Sequence, residues 1–350
     1  MESLDEEDYE YEYNITFNES YEYYHTLCYK DDVRNFGKIF LPIFYSLALI
    51  IGISGNSLVL AVYIYYKRLK TKTDIYILNL AIADLLLLFT LPFWAADAVH
   101  GWELGETMCK ITSALYIMNF SCGMFFLACI SLDRYQAMFR NQDRPRKQEY
   151  IFVLIVVWMA AIILSLPQLI FSTVKEKETR RVCISVYPAT MARNTKAAIQ
   201  FLEVIFSFVI PFLIMVFCYT RVAKTLMWSP NVKKWRAFRV LLAVVGVFFL
   251  TQIPYNIVKF IRAVDVIYSF IIMCEASKNL DIAILITESA ALFHSCLNPI
   301  VYAFVGASVK NHLLKLLKMI SSHKRTHREQ TVEISLNSHS NTENTISFTI

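Results

Sequence analysis

Seven mostly apolar stretches, each about 20 residues or longer, alternate with short charged segments along this chain. The first runs without a charge from Ile39 to Tyr66. The others cover roughly 75–99, 111–132, 150–174, 197–220, 237–261 and 282–305. A stretch of that length crosses the hydrocarbon of a bilayer as a helix, which satisfies its own backbone groups. The pattern predicts an all-α membrane protein, a seven-transmembrane helix bundle over residues 39–305. Prolines within the spans, at Pro92, Pro167, Pro211, Pro254 and Pro299, predict kinks, because each removes a backbone hydrogen bond.

The connecting segments set the orientation. Lys67, Arg68, Lys70 and Lys72 follow the first span, and Arg140, Arg144, Arg146 and Lys147 the third. Arg221, Lys224, Lys233, Lys234 and Arg236 follow the fifth. Basic loops stay cytoplasmic, so the acidic tail at 1–38 is extracellular. Sequons at Asn14 and Asn18 agree and predict glycosylation there. A third sequon, at Asn119, falls inside a span and is expected to stay unmodified. One outer connection, 175–196, breaks the pattern with six basic residues. Residues 306–320 alternate basic and apolar positions and predict a short cytoplasmic amphipathic helix on the membrane lipids. Residues 321–350 follow as a cytoplasmic tail with 11 Ser or Thr.

Composition narrows the class. The 350 residues are 56% hydrophobic and 18% charged, against roughly 25% charged in soluble domains. That excludes a disordered chain and argues against an ordinary cytosolic enzyme. The formal charge of +5 is an average, since residues 1–27 hold nine Asp or Glu and no Lys or Arg. The basic remainder sits where a membrane topology places it, so no nucleic-acid partner is implied. The spans contain no HExxH, GxSxG or paired catalytic Asp, and neither an enzymatic activity nor a cofactor or metal is expected. Seven spans without an inverted repeat argue against a transporter.

Four of the eight cysteines, Cys28, Cys109, Cys183 and Cys274, fall on the oxidising outer side, where disulfides are expected. Three pairings are open. A Cys109–Cys183 bridge would pin the long outer loop over the bundle, and Cys28–Cys274 would then close the bundle into a ring.

Ionisable groups inside a membrane are costly and point to function. Asp84 lies mid-span, with Asn56, Asn119, His294 and Asn298 at comparable depth. Asp84, Asn119 and Asn298 form a candidate sodium-type polar cluster. Glu288 and Glu203 lie near the outer ends of their spans, at the level of Trp94, Tyr116 and Tyr255. Together they predict an acidic, aromatic-lined cup open to the outside, suited to a cationic ligand group. Asp133-Arg134-Tyr135 ends the third span, 25 residues after Cys109, which is about 37 Å of helix. That places Arg134 at the cytoplasmic boundary, where it can hold an ion pair in one state and release it in another.

The whole set resembles the rhodopsin-like seven-helix receptors. The matching pieces are Gly55-Asn56, Leu80-Ala81-Ile82-Ala83-Asp84, Asp133-Arg134-Tyr135, Pro211 with Tyr219, and Asn298-Pro299-Ile300-Val301-Tyr302. Thr90-Leu91-Pro92-Phe93-Trp94, the four outer cysteines, Glu288 and His294-Ser295-Cys296-Leu297-Asn298-Pro299 narrow the resemblance to chemokine receptors, and longer runs to their atypical members.

That resemblance implies a receptor at the cell membrane that binds CC chemokines in two steps. The acidic tail would capture the basic ligand, with Tyr9, Tyr11 and Tyr13 beside acidic residues in a setting that favours sulfation. The ligand's flexible N-terminus would then enter the cup, its amine meeting Glu288. Asp133, Arg134, Tyr135, Tyr219, Asn298, Pro299 and Tyr302 would form the conformational switch. Phosphorylation of Thr342, Thr345, Ser347 and Thr349 by a receptor kinase would make an anionic strip for arrestin.

Two departures bear on signalling. Gln136-Ala137-Met138-Phe139 replaces the family's usual Leu-Ala-Ile-Val on the face that meets G protein. Gln252 stands where many members carry Trp, although some signalling members share it. The expectation is a scavenging receptor that internalises homeostatic CC chemokines and cycles to endosomes, with arrestin rather than G protein inside. A conventional G-protein-coupled chemokine receptor driving chemotaxis is the alternative.

Overall fold

The structure, a computed structural model, describes residues 28–66, 71–139, 147–177, 180–228 and 232–305. The first span is the helix Asp31–Ala61, continued by a π-helical segment, Val62–Tyr66. It starts at Asp31 rather than at the first apolar residues, because Asp31 and Asp32 complement the positive end of the helix dipole. The second span, Lys72–Leu88 followed by Leu91–His100, opens with a reciprocal cap. The Thr71 hydroxyl accepts from the Asp74 amide (3.1 Å), and the Asp74 carboxylate accepts from the Thr71 amide (3.2 Å). The third and fourth spans are the helices Gly105–Phe139 and Lys147–Phe171. The fifth comprises Ala192–Glu203, a π-helical segment Val204–Val209, and Ile210–Trp228. The sixth is Val232–Tyr268, 37 residues, about 55 Å at 1.5 Å per residue. The seventh is Cys274–Leu292 followed by His294–Val305.

Six of these spans are long and apolar throughout a membrane-crossing window. The sixth span has its own uncharged stretch from 240 to 258. The molecule is a seven-helix membrane bundle. Its outward-facing side chains, Ile50, Phe152, Ile163, Leu213 and Leu250 among them, are large, apolar and exposed, as a lipid-facing surface requires.

The prolines act differently from one another. Pro167 and Pro254 lie inside unbroken helices. The second span breaks just before Pro92, where the Thr90 hydroxyl bonds the Leu87 carbonyl (2.7 Å). The fifth widens into its π-helical segment just before Pro211. A proline ring crowds the carbonyl four residues back and offers it no donor, and a wider turn relieves both problems. The seventh span is interrupted at Phe293, upstream of Pro299.

The third span is central and packs on the second, fourth and fifth. The first packs on the second and seventh, and the sixth on the fifth and seventh, which closes the ring. Gly55 permits one of these contacts, since a Cβ there would lie 2.9 Å from the Pro299 side chain. The buried side chains divide into two clusters. An outer one holds Tyr45, Trp94, Trp102 and Tyr116, and an inner one Tyr76, Met124, Phe126 and Phe248.

The basic outer connection contains an antiparallel hairpin, β1 (Ser172–Lys177) with β2 (Arg180–Ser185), in which Val174 pairs with Cys183. Cys183 is bonded to Cys109 and Cys28 to Cys274, with Cα–Cα distances of 5.6 and 5.4 Å. The first bridge fixes the hairpin on the outer end of the third span. The Trp102 amide adds a hydrogen bond to the Arg181 carbonyl (2.8 Å). The second bridge joins the segment before the first span to the start of the seventh. Cys122, Cys129, Cys218 and Cys296 are free thiols inside the bundle.

Candidate functional site

The cup lies at the outer end of the bundle. Tyr116 of the third span shares side-chain hydrogen bonds with Glu288 of the seventh and Tyr255 of the sixth. All three are buried, and Tyr45 of the first span is within electrostatic reach of Glu288. Trp94 stacks obliquely on Trp102, ring centroids 5.1 Å apart. The Trp94 indole N–H makes no hydrogen bond among the described residues.

Glu203 is placed differently from Glu288. Its carboxylate accepts from the Lys259 ammonium at 2.6 Å, and both residues are less than 10% exposed. Lys259 also lies over the Tyr255 ring, 5.8 Å from its centre, within cation–π range. The cup therefore contains a carboxylate hydrogen-bonded to Tyr116 and a carboxylate held by an ammonium. At its rim the hairpin's Arg180 donates to the Asp97 backbone carbonyl and stands 4.0 Å from the Asp97 carboxylate.

Outside the cup the first-span segment is tied down by charge. Lys30 bonds the fully buried Asp281 at 2.8 Å, and Arg262 stands 3.8 Å from the same carboxylate. Lys278 reaches Asp32 at 3.2 Å.

At mid-membrane the Asp84 carboxylate, fully buried, accepts from Asn119 (3.2 Å) on one oxygen and from Asn298 (3.0 Å) on the other. His294 Nε2 lies 3.9 Å from the first oxygen. His294 Nδ1 donates to the Ala291 carbonyl (2.5 Å), since a carbonyl only accepts. Gln252 donates to the same carbonyl at 3.0 Å. Asn56 stands one step aside and donates to the Ser295 and Gly52 carbonyls. The second, third and seventh spans are thus joined through one acidic centre, and Gln252 ties the sixth to the seventh beside it.

At the cytoplasmic end Arg134 lies 3.8 Å from Asp133. It donates to the Thr73 hydroxyl, which in turn donates to Asp133 at 2.7 Å. Tyr135 packs against Phe217, ring centroids 5.8 Å apart. Tyr219 is buried beside Ser131 and within electrostatic reach of Arg134. Pro299 is buried against Gly55. Tyr302 lies on the last helix, with its side chain outside the described residues.

Residues 55–302 match the family described as 7 transmembrane receptor (rhodopsin family). Human atypical chemokine receptor 4 is 54% identical over 347 residues, covering 98% of this chain and 97% of the relative. The bovine protein of that name is 52% identical over 346 residues, with the same coverage. Human C-C chemokine receptor type 9 is 41% identical over 310 residues, 87% of this chain and 82% of its own. The chain belongs to the chemokine receptors of the rhodopsin family.

In this chemokine receptor, then, the resemblance seen in the motifs extends along nearly the whole chain. It is a receptor class and not an enzyme. The structure brings Glu288, Tyr116 and Tyr255 together, and Asp84, Asn119 and Asn298 together. Trp94 sits in the outer cluster beside Trp102. The tyrosines and sequons of the tail (Tyr9, Tyr11, Tyr13, Asn14, Asn18), the helix expected at 306–320, and Thr342, Thr345, Ser347 and Thr349 lie outside the described residues.

Sequence reasoning did not single out Lys259, Thr73, Asp97 or Asp281. Lys259 and Asp97 carried a usable signal, as charges inside otherwise apolar runs. Thr73 carried none, because its role depends on where the second and third spans meet.

Proposed function

We propose that this receptor is a scavenger of homeostatic CC chemokines at the cell surface, with its N-terminus outside. It internalises its ligand to endosomes with arrestin as its cytoplasmic partner and without strong G-protein activation. The observation that carries this reading is the 54% identity, over 98% of the chain, to a protein named as an atypical chemokine receptor. Supporting it, Gln136 and Ala137 follow Asp133-Arg134-Tyr135 on the cytoplasmic end of the third span, where Gln136 is exposed.

The chemistry follows from the site. A chemokine is basic, and the tail's nine acidic residues attract it before contact. Its N-terminal amine meets Glu288, whose orientation is set by Tyr116. Burial makes that charge-assisted contact stronger than the same contact in water. Movement of the third, sixth and seventh spans around the cup is felt at Asp84 through Asn119, Gln252 and Asn298, and further down at Arg134. A monovalent cation shared by Asp84, Asn119 and Asn298 would hold one arrangement of that core. Phosphates on the Ser/Thr tail would then engage arrestin.

The test is a panel of labelled CC chemokines, scored for binding and for uptake, on the wild type and on Glu288→Gln. Uptake of at least one ligand is expected, with affinity about 10-fold or more weaker in the variant, the scale of a lost buried charge contact. Unchanged affinity and uptake in Glu288→Gln would remove the cup from the mechanism.

A second reading, a conventional signalling receptor, draws on the intact Asp133-Arg134-Tyr135 and on the 41% identity to human C-C chemokine receptor type 9. It predicts nucleotide exchange on inhibitory G protein when chemokine is added.

A further inference from the structure

The outer connection between the sixth and seventh spans holds large apolar side chains in the open. Tyr268, Phe270, Ile272 and Met273 are 52–76% exposed. Along the spans such exposure is met by lipid, but this loop lies above the lipid. Cys274 stands eight residues before Ile282, where the apolar run of the seventh span begins. Tyr268 stands ten residues after Val258, where the uncharged stretch of the sixth ends. Those offsets are about 12 and 15 Å of helix, and the headgroup layer is only about 5–8 Å deep on each side. The loop therefore faces water, where a contiguous apolar surface marks a contact site.

The loop is also held in one shape. The Asp265 carboxylate accepts from the Ile271 amide at 2.9 Å, and the Asp265 carbonyl from the Ser269 amide at 2.7 Å. Arg193, at the start of the fifth span, donates to the Val266 carbonyl and to the Ser269 hydroxyl (3.2 Å). Ser269 has φ +50°, the only positive φ outside glycine among the described residues. A side chain rarely adopts that conformation, and it persists where the surroundings impose it, often at functional sites. The far end is fixed by the Cys28–Cys274 bridge. Exposed apolar groups on a fixed backbone form a presented surface.

Its place in the fold says what meets it. Met273 adjoins Cys274, so the surface borders the root of the acidic tail, and Tyr29, 70% exposed, stands on the other side of the same bridge. The spans that the loop joins carry Tyr255 and Glu288 of the cup. Exposed acids flank it, Asp31 and Asp32 on the first span and Glu275 on the seventh. A basic protein that is held by the tail and reaches into the cup with its N-terminus crosses this rim. We propose that Phe270, Ile272 and Met273 are a docking surface for the folded body of the chemokine, a contact separate from both the tail and the cup. This rests on the chemokine reading above. An apolar contact forms after encounter and acts on the off-rate, whereas the charge of the tail acts on the on-rate.

The experiment uses one fluorescent CC chemokine that the wild type binds, in two forms. One is native, and the other lacks the flexible N-terminal segment and so cannot enter the cup. Association and dissociation rates are measured on the full receptor, with surface display followed by an antibody to the tail. The receptors are the wild type, Phe270→Ser/Ile272→Ser/Met273→Ser, Phe270→Leu/Ile272→Leu/Met273→Leu, and Glu288→Gln. The serine variant is expected to release both forms about 10-fold faster, with on-rates within about 2-fold of the wild type, the scale of lost apolar anchors. The leucine variant keeps the wild-type rates. Glu288→Gln weakens the native form alone.

The leucine variant separates the contact from a change in loop shape, because it keeps the surface apolar. Unchanged dissociation from the serine variant overturns the assignment. So does faster release of the native form alone, which would place the loop in the contact with the ligand's N-terminus. Unchanged rates with a fall in receptor–receptor energy transfer would give the surface to a second copy of this chain and overturn the assignment too. A wild type that binds no chemokine of the panel overturns the chemokine reading itself, and this assignment with it.

Discussion

At the outer end of the bundle, two disulfides and the buried contacts of Asp281 with Lys30 and Arg262 and of Glu203 with Lys259 join the elements. At the cytoplasmic end the described residues are joined by hydrogen bonds among Arg134, Thr73 and Asp133 and by an ion pair of Lys72 with the exposed Glu149 at 3.1 Å, a surface contact worth little. The two sets differ in what it costs to rearrange them. A disulfide contributes about 2–5 kcal/mol, and breaking one partner of a buried ion pair costs about 3–5 kcal/mol. A hydrogen bond between membrane helices contributes about 0.6 kcal/mol on average. The ligand-facing end is therefore held in shape before a ligand arrives, and the inner end can exchange partners at small cost. Asp84 lies between the two regimes, with a fully buried carboxylate but only hydrogen-bonded and imidazole partners.

The comparison can be broken most forcefully at the hairpin. Cys109→Ser with Cys183→Ser opens a closure of 74 residues in sequence, with an expected loss of about 4 kcal/mol. Surface display and chemokine binding should both collapse, as flow cytometry with labelled chemokine would show. A double variant that binds normally would mean that the hairpin is held by its other contacts, such as Trp102 to Arg181. Next comes Asp281→Asn, which leaves Lys30 and Arg262 without their shared carboxylate. About 3 kcal/mol is expected to be lost, read as a lower thermal midpoint of the purified receptor.

The middle of the molecule should respond less. Asn298→Ala removes one donor to Asp84 and should cost about 1 kcal/mol. It should also change how sodium affects chemokine affinity, measured by titration of the salt at constant ionic strength. The smallest effect on stability, below about 1 kcal/mol, is expected for Thr73→Val, yet its functional effect should be distinct. With Arg134 released from the Thr73 hydroxyl, arrestin recruitment in the absence of chemokine should rise. No change in that basal signal would show that Arg134 is held by Asp133 alone.

What the sequence revealed follows the same division. The spans were legible because apolar length is a local property, and Asp84 was legible because a charge inside such a run stands out. The outer cysteines were legible as a set, and the pairing expected among the three open ones, Cys109 with Cys183 and Cys28 with Cys274, is the one the structure contains. Cys28 and Cys274 are 246 residues apart, and only the closed ring brings them together.

Lys259 and Glu203 show the limit most plainly. Glu203 read as a second acidic wall of the cup, yet a lysine 56 residues later in the next span holds its carboxylate. Which faces of two helices meet is set by their packing, and the π-helical segment at Val204–Val209 resets the helical phase by an amount that Pro211 alone does not specify. The hairpin at 172–185 was hidden for a related reason. Its alternation is short, and its fourteen or so residues read first as an excess of basic charge.

The central claim is that a pre-shaped outer cup captures chemokine while the inner end serves uptake rather than G protein. It is tested most directly by following two quantities in the same cells. One is the disappearance of a bound CC chemokine from the medium. The other is nucleotide exchange on inhibitory G protein. The account predicts that the chemokine is depleted and degraded while exchange stays at its resting rate. Robust exchange after chemokine addition, or a chemokine that is bound but never depleted, would contradict it.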